Sequence, residues 1–397
     1  MSIRENVISY VDRNLPTYQQ IALDIHANPE VSNYEFFACE RLSSQLASDG
    51  FDVKVDVAGH RTGFTATYKS RKPGPVIVFL AEYDALAGLG HGCGHNIFGA
   101  TSALAGATLK HVIEEVGGEV RVYGTPGEEG GENGSAKGSF VREGFLDDVD
   151  AALCVHPGSK HHRLTGTSLA CAPVDIEFWG QACHACAAWN GHNALDAMIL
   201  FFNSIALLRQ QLTPDIRIHG IITNGGDAPN TIPDYTKAKF YLRADSAPKL
   251  DDLYAKVEHI VEGAALATGT KGRMQPYQNR VENQVPTPSF DAVYRKNLES
   301  LGEVFDAPEE GKKQGGGSSD VGNVSQVVPT IQPSIVISKE QVRGHSEEMV
   351  AASCSQPALE AIGLGAKALV LTAIDLIQDP QLLASIKAEH AEAVKNQ

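Results

Sequence analysis

The sequence predicts a two-domain α/β protein, in which a central, mostly parallel sheet flanked by helices carries an inserted ferredoxin-like α+β domain. Two observations support this fold class. Apolar strand-like runs alternate with helical segments over residues 1–170, a pattern typical of a sheet covered on both faces. Residues 171–285 follow a different order, and the α/β pattern returns over residues 286–397. The large domain is therefore expected to be discontinuous in the chain.

The helices and strands of the large domain follow from hydrophobic periodicity. Two stretches in the first fifty residues, NVISYVDRNL and ACERLSSQLAS, place apolar residues at helical spacing. Four apolar runs then predict strands, and they are FTATYKS, PVIVFLAEY, EVRVYGTP and DAALCVHPG. A helix ending at Gly117 is predicted between the second and third of these runs. Near the C-terminus, PSIVISKE predicts another strand and QPALEAIGLGAKALVLTAIDLIQ a long closing helix.

The inserted domain shows the order strand, helix, strand, strand, helix, strand. In sequence, these elements are APVDIEFWG, ALDAMILFFNSIALLRQQL, IRIHGIITNG, YTKAKFYLRA, LDDLYAKVEHIVEGAALATG and KGRMQPYQNRV. This β-α-β-β-α-β order is that of a ferredoxin-like domain.

Composition and charge exclude several classes of protein. The 397 residues carry a formal net charge of −15, which argues against a nucleic-acid partner. The N-terminus lacks an apolar secretory segment, and the longest apolar run near the C-terminus is too short to span a membrane and contains Asp375. Seven cysteines, an odd number, do not suit a disulfide framework, so a cytoplasmic location is expected. The glycine-rich stretch EEGKKQGGGSSD at 309–320 predicts a loop without the residue order of a P-loop.

Metal-type side chains follow four of the predicted strands. In an open α/β sheet, ligands bind beyond the carboxyl ends of the strands, so these side chains are expected to meet. A single histidine at a strand end is more often a surface residue, but four strand ends of this kind together predict a site. In chain order the side chains are Cys93, His95, Glu128, Glu129, His156 and His345.

The stretch HGCGHNIFG at 91–99 is the densest part of this pattern. Residues two apart in an extended chain point the same way, so Cys93 and His95 can face one site, with Gly94 allowing the backbone to come close. Thiolate, imidazole and carboxylate ligands suit zinc or a similar first-row ion. The alternative is a glycine-rich turn in which the histidine and the cysteine are incidental.

The pair Glu128-Glu129 lies in the polar stretch GEEGGENG. Adjacent residues in an extended chain point to opposite sides, so one glutamate can ligate a metal while the other takes a proton from a water that the metal acidifies. The alternative for this stretch is an acidic, solvated loop. A second pair, Cys183 and Cys186, forms a C-x-x-C that precedes a loop instead of opening a helix, so a core or loop placement is favoured over a redox dithiol.

Nine segments of the chain fall in an order that identifies a family. They are DIHANPEVSNYE, AEYDALAGLGHGCGHNIFGA, GTPGEEGGENG, VHPG, FWGQACHACAAWNGHNALDA, GGDAPNTIPD, FYLRAD, GGGSSDVGNVS and GHSEEM. The sequence resembles the M20 metallopeptidases, and most closely their amidohydrolase branch of aminoacylases, aminobenzoyl-glutamate hydrolases and dipeptidases. The resemblance covers nearly the whole chain. It implies a zinc-peptidase-like catalytic domain with two divalent metal ions, and a small domain that forms a homodimer, with a tetramer as a further state.

The resemblance also implies residue roles, carried over motif by motif. Glu128 would be the general base that activates water and then protonates the leaving amine, and His184 would stabilise the oxyanion, in its own or the partner's site. Asn230 and Arg243 would bind the carbonyl or carboxylate of the substrate, for which a guanidinium is suited because it can bind both oxygens. A surface ion pair is the alternative for Arg243. The metal ligands would be Cys93, His95, Glu129, His156 and His345, and the cysteine favours zinc over manganese or cobalt.

The chain departs from the family pattern at two places. Many members have His-x-Asp where this chain has Glu82-Tyr83-Asp84, so one histidine ligand is absent and the Cys-x-His pair would replace it. Asp84 would then orient the ligands and would not bridge the metals. The second departure is at Asn96 and Phe98, which replace polar residues beside the metal ligands and bear on the occupancy of one metal position.

Three hypotheses about function come from different classes. The first is a metal-dependent hydrolase of an amide bond in a small peptide or an N-acyl amino acid, with a broader aminopeptidase or an endopeptidase as the alternative within that class. The second is a metal-containing binding or scaffold protein without catalysis. The third is a thiol redox protein that uses Cys183 and Cys186. The carried-over catalytic positions are all present, which favours the first.

Overall fold

The computed structural model describes residues 2–305 and 317–397, so most of the glycine-rich stretch at 309–320 lies outside the described residues. Within the described part, the chain divides into two compact units. The first unit consists of residues 2–167, 284–305 and 319–396, and the second of residues 168–283, 317–318 and 397.

The first segment of unit 1 supplies four helices and six strands. They are α1 (Ile3–Ala27), α2 (Phe36–Ser48), β1 (Asp52–Val57), β2 (His60–Lys69), β3 (Val76–Ala81), α3 (His95–Val116), β4 (Glu119–Gly124), α4 (Ala136–Arg142), β5 (Ala151–Leu153) and β6 (His156–Ser159). Helix α1 begins with a capping box, in which the Ser2 hydroxyl accepts from the Glu5 N–H and the Glu5 carboxylate accepts from the Ser2 N–H. Strand β1 was not predicted, since its residues are largely solvent-exposed and polar.

The second unit is a four-stranded antiparallel sheet with two long helices on one face. Its elements are β7 (Ala170–Trp179), a 3₁₀ turn (Ala185–Asn190), α5 (Ala194–Leu208), a second 3₁₀ turn (Arg209–Gln211), β8 (Arg217–Asn224), β9 (Tyr235–Ala244), α6 (Ala247–Thr268) and β10 (Lys271–Pro276). The strand order is β10-β7-β9-β8. Alternate residues of β7 and β9 face the helices and form an apolar core that includes Val174, Phe178 and Phe240. The predicted β-α-β-β-α-β order is confirmed.

The chain then returns to unit 1 with its remaining elements. They are α7 (Pro288–Ser300), α8 (Val321–Ser325), β11 (Thr330–Ile331), β12 (Ser334–Ser338), α9 (Glu347–Ala352), α10 (Gln356–Gln378) and α11 (Pro380–Lys395). Helix α11 was not predicted, because the preceding Pro380 suggests an end to helix α10, whereas here it starts a new helix at its first position.

The sheet of unit 1 sets the location of the site. Its strand order is β1-β2-β4-β3-β5-β11, with β4, β3, β5 and β11 parallel and β2 and β1 added antiparallel at one edge. Strands β6 and β12 form a separate parallel pair. Helices α1, α3 and α10 pack together into the larger apolar core, and a smaller cluster around Phe98, Phe140 and Val324 includes side chains of α4 and α8. The predicted α/β fold class is confirmed. Within the described ranges, none of the helices is both long and apolar enough to cross a membrane.

Candidate metal centre

Cys93 and His95 lie at the start of α3 and not in an extended segment, so the expected extended geometry is wrong. Gly94 is the N-cap residue, with φ +80°, and a Cβ at this position would come within 3.0 Å of the Pro157 side chain. Glycine is needed here because the left-handed turn must pass close to the 156–158 segment. This turn, and not strand alternation, brings the thiol and the imidazole to the same site.

Glu128 and Glu129 occupy the central positions of a turn that follows β4, so the expected extended geometry is wrong here as well. The Gly130 N–H donates to the Gly127 carbonyl at 3.2 Å, which closes the turn. Both carboxylates remain close to His95, so the turn keeps the pair within one site.

The predicted metal ligands come together in unit 1. Three groups of donor atoms lie within 4.8 Å of one another, and each group shares one residue with each of the others. The groups are Cys93 with His95 and His156, Cys93 with Glu129 and His345, and His95 with Glu128 and Glu129. Six donors exceed the four that a tetrahedral zinc ion takes, so the arrangement fits two neighbouring ions better than one.

The distances between donor atoms fit a metal better than they fit direct hydrogen bonds. Donor atoms on one tetrahedral zinc are separated by roughly 3.3–3.6 Å, given zinc bond lengths of about 2.0–2.3 Å. Cys93 Sγ lies 3.4 Å from His156 Nε2, and Glu129 Oε2 lies 3.4 Å from His345 Nε2. The other oxygen of Glu129, Oε1, is buried without a hydrogen-bond partner among the described residues. Such an atom is costly unless something binds it, so the donor set fits a bound cation.

His345 adopts a backbone conformation that is unusual for its residue type. Its φ is +58°, and its N–H donates to the Gly92 carbonyl at 2.8 Å. A left-handed conformation costs a non-glycine residue about 1–3 kcal/mol and persists where surrounding contacts fix it, often at functional sites. The hydrogen bond to Gly92 attaches the His345 loop directly to the Cys93 loop.

The two adjacent glutamates have oppositely shifted pKa values. Burial, together with the charges of Glu82 and Glu129, raises the pKa of Glu128 well above its usual range. Although burial opposes it, contact with His345 and the charge of His95 lower the pKa of Glu129 to about 2. Neighbouring carboxyl groups with divergent pKa values are typical of sites that divide the work of proton transfer and charge stabilisation.

Asp84 holds two parts of the site in place. Its Oδ1 accepts from His95 Nδ1 at 2.8 Å, which leaves Nε2 as the ligating nitrogen, and its Oδ2 accepts from the Glu129 N–H at 2.9 Å. A carboxylate on the second ring nitrogen fixes the tautomer and orientation of a metal-binding histidine. This geometry agrees with the orienting role expected for Asp84.

A buried lysine lies behind the site, and no feature of the sequence indicated it. Lys137 is fully buried, with Nζ 2.6 Å from Asp320 Oδ1 and 2.8 Å from Glu82 Oε1. The other oxygen of Glu82 lies 3.2 Å from His95 Nε2. Although burial alone would lower it, the carboxylates of Asp320 and Glu82 raise the pKa of Lys137. Lys137 lies in the polar segment GENGSAKGS, where a lysine ordinarily indicates a solvated loop.

His184 and Asn230 belong to unit 2 and lie on adjoining backbone segments. His184 bridges Thr231, and the Ala185 N–H donates to the Asn230 carbonyl at 2.9 Å. The His184 ring is exposed, and its Nδ1 accepts from the Cys186 N–H at 3.2 Å. His184 thus caps the 3₁₀ turn that follows β7.

Arg243 lies on β9 in unit 2. Its Nη1 donates to Ser318 Oγ at 2.7 Å, and its guanidinium lies 5.3 Å from the centre of the Tyr241 ring. No carboxylate in the described parts of the chain pairs with it, which disfavours the surface ion pair. Cys183 is partly buried and Cys186 is exposed, and both thiols are free.

Known proteins resemble the chain in both sequence and fold. Residues 172–268 match the family model described as the M20 peptidase dimerisation domain. The Xaa-Arg dipeptidase of Mus musculus is 36% identical over 318 residues, which cover 79% of this chain and 73% of that protein. One of the two subunits of the Escherichia coli p-aminobenzoyl-glutamate hydrolase is 37% identical over 66% of this chain and 57% of its own length.

Solved structures share the fold at low sequence identity. The aminobenzoyl-glutamate utilization protein from Klebsiella pneumoniae superposes with a TM-score of 0.71 at 18% identity, covering 92% of this chain and 97% of that one. The Bacillus subtilis YXEP protein, described as a dinuclear metal binding peptidase from the M20 family, gives a TM-score of 0.61 at 18% identity and covers 93% and 99%. Together with the sequence relatives, these matches confirm the family predicted from the nine motifs: the chain belongs to the M20 peptidase family.

Proposed function

We propose that this M20 hydrolase cleaves the amide bond of a small peptide or an N-acyl amino acid, with Glu128 as general base. The observation that carries the proposal is the convergence in unit 1 of six donor side chains from four separate loops. The names of the relatives support the reaction class, since they include a dipeptidase, an aminobenzoyl-glutamate hydrolase and an N-acetyl-L-cysteine deacetylase.

We assign two divalent ions to the site. The residues that would hold them are Cys93, His95, Glu129, His156 and His345. A thiolate among imidazole and carboxylate ligands favours zinc over manganese or cobalt. When bound, such ions supply Lewis-acid polarisation of the scissile carbonyl and make the attacking water more acidic.

Glu128 carries the proton in this proposal. Its carboxylate takes the proton of the attacking water at one oxygen and returns it to the nitrogen of the leaving amine, so no net proton is gained or lost. A general base works best when its pKa lies near the working pH, and a carboxyl group with a raised pKa meets that condition. Asp84 keeps the neighbouring ligands oriented while Glu128 is free to turn.

We assign the substrate contacts to unit 2 on the family resemblance. His184 would donate to the oxyanion, and its exposed ring leaves Nε2 free to do so, since Nδ1 accepts from the backbone. Asn230 is exposed beside it and would bind the substrate carbonyl. Arg243 lacks a carboxylate partner within the described ranges, so its guanidinium is available for a substrate carboxylate.

Metal analysis combined with an activity screen tests the proposal. We expect the purified protein to bind about two zinc ions per chain, as a dinuclear site requires. Chelation should abolish hydrolysis, and added zinc, manganese or cobalt should restore it. The screen should include aminoacyl dipeptides, N-acyl amino acids and aminobenzoyl-glutamate, with longer peptides to detect an aminopeptidase or an endopeptidase. Metal-free protein that hydrolyses these amides equally well would contradict the proposal, and metal-loaded protein without any turnover would favour a scaffold.

We also propose that the protein is a cytoplasmic homodimer formed through unit 2. All seven cysteines are free, which suits a reducing compartment. Strand β8 is an edge of the described sheet and carries the exposed side chains of Ile221 and Ile222. Helix α5 adds Ile199 and Leu207, which are also exposed. An uncovered apolar edge strand favours pairing with another chain, and a second copy would provide a symmetric partner.

A charge on this edge should dissociate the dimer. Ile221 is 65% exposed, so Ile221→Lys is expected to leave the fold intact while it opposes edge-to-edge pairing. Sedimentation velocity should then show a monomer at concentrations where the unmodified protein is a dimer. The matched control is Leu266→Lys on α6, because Leu266 is 86% exposed but lies away from the β8 edge. A dimer that survives Ile221→Lys would place the interface elsewhere.

A further inference from the structure

Glu35 is a buried carboxylate that contacts the turn of the two site glutamates without itself being a donor to the site. Its side chain is fully buried at the N-terminal end of α2. Oε1 accepts from the Gly127 N–H at 2.9 Å, and Oε2 accepts from the Thr62 hydroxyl at 2.8 Å. Burial of a carboxyl group is costly, so a protein that retains one there uses its hydrogen bonds for a specific purpose.

Gly127 is the residue on which the whole turn depends. Its carbonyl accepts from the Gly130 N–H at 3.2 Å and from the Ser135 N–H at 2.6 Å. Its φ is +70°, and a Cβ would come within 2.5 Å of Ser32 Oγ. Fixing the N–H of Gly127 therefore fixes the peptide group that precedes Glu128.

The other side of Glu128 is fixed as well. The Glu129 N–H donates to Asp84 Oδ2 at 2.9 Å. Glu128 thus lies between two anchored peptide groups, one held by the buried carboxylate of Glu35 and the other by the buried carboxylate of Asp84. Asn33 holds the far end of the same loop, since its Nδ2 donates to the carbonyls of Glu132 and Asn133 at 3.0 and 2.8 Å.

We infer that Glu35 is a positioning residue that sets the direction of the Glu128 side chain through the N–H of Gly127. This inference rests on the proposed function of Glu128 as the general base. A base must lie within hydrogen-bonding distance of the proton that it removes, and a displacement of about 1 Å can reduce the rate by about 10²-fold. Loss of the Glu35 acceptor would release the turn and allow a displacement of that size.

Three substitutions separate the acceptor from the charge. Glu35→Gln keeps the side-chain length and an oxygen that can accept from Gly127, and burial together with Asp84 raises the pKa of Glu35 to about 8, so the neutral amide resembles the prevailing form. We expect this variant to retain kcat. Glu35→Ala and Glu35→Asp remove or withdraw the acceptor, and both should lower kcat by about 10²-fold with little change in KM. Bound zinc should be retained.

Hydrogen–deuterium exchange gives a readout that does not depend on activity. Peptides covering residues 126–135 should exchange faster in the alanine and aspartate variants than in the unmodified protein, and should stay protected in Glu35→Gln. The matched control is Glu30→Ala, because Glu30 lies in the same motif and accepts from the Phe37 and Ala38 N–H groups at 3.1 Å without touching the loop. That variant should leave kcat and the exchange of residues 126–135 unchanged.

The outcomes are decisive in each direction. Unchanged exchange and kcat in folded Glu35→Ala and Glu35→Asp would overturn the inference, and so would loss of zinc, which would show that Glu35 acts on a metal ligand. Equal impairment by glutamine and alanine would also overturn it, because the acceptor would then be irrelevant. A failure of the proposed function would be recognised separately, since Glu128→Ala would then stay active whatever the exchange of the Glu35 variants shows.

Discussion

Glu128→Ala is expected to lower kcat by about 10³-fold or more while the protein keeps its bound zinc. Proton transfer by a positioned side chain contributes about 10²–10⁴-fold to a rate, and no second free carboxylate at the turn can replace Glu128 if Glu129 ligates a metal. Zinc content should be measured by mass spectrometry on the same preparation as the steady-state kinetics. Unchanged metal together with lost turnover separates a base from a ligand.

Two comparison variants make the Glu128 result specific. Glu129→Ala removes a proposed ligand and should lower both the bound zinc and the rate. Glu132→Ala removes an exposed carboxylate from the same loop and should change neither. If Glu128→Ala loses zinc as Glu129→Ala does, Glu128 is a ligand and the proton carrier must be sought elsewhere.

Lys137→Met should destabilise the metal-free protein by about 3–5 kcal/mol, because removal of one partner from a buried ion pair leaves the other charge without compensation. Both Glu82 and Asp320 would lose their contacts at 2.8 and 2.6 Å. Methionine preserves most of the volume of the lysine stem, so the effect would report the charge and not a cavity. Urea unfolding followed by circular dichroism measures the change in the free energy of unfolding.

A double-mutant cycle tests whether the pair itself carries the effect. Adding Glu82→Gln to Lys137→Met should recover part of the lost stability, since one uncompensated charge disappears. Lys256→Met is the matched control, because its ion pair with Asp252 is exposed and such pairs contribute at most about 1 kcal/mol. A loss as small for Lys137→Met as for this control, or strict additivity with Glu82→Gln, would show that the buried pair does not stabilise unit 1.

Residue types and their order were enough to predict the donors but not the local geometry. Cys93, His95, Glu128, Glu129 and His156 do meet, as the strand ends indicated. The extended geometry expected for the first two pairs was wrong, because Gly94 forms a left-handed helix cap and Glu128 and Glu129 lie in a turn. Strand alternation applies only while the chain stays extended, and glycine-rich segments permit conformations that no periodicity indicates.

The supporting residues could not be predicted from sequence. Glu35 and Lys137 lie in polar segments whose composition suggests exposure, yet both are fully buried. Their partners are distant in the chain, Gly127 for the first and Asp320 for the second. Only tertiary packing decides whether a charged side chain in such a segment is solvated or compensated inside the protein.

The fold class, the family and the set of donor side chains follow from the order of residues alone, because each depends on residue types repeated in a fixed order along the chain. Packing in three dimensions settles which donors lie close together, which glutamate has the raised pKa and which buried carboxylates hold the turn. These features depend on distances between segments far apart in the chain, and electrostatic and hydrogen-bond energies change steeply over such distances.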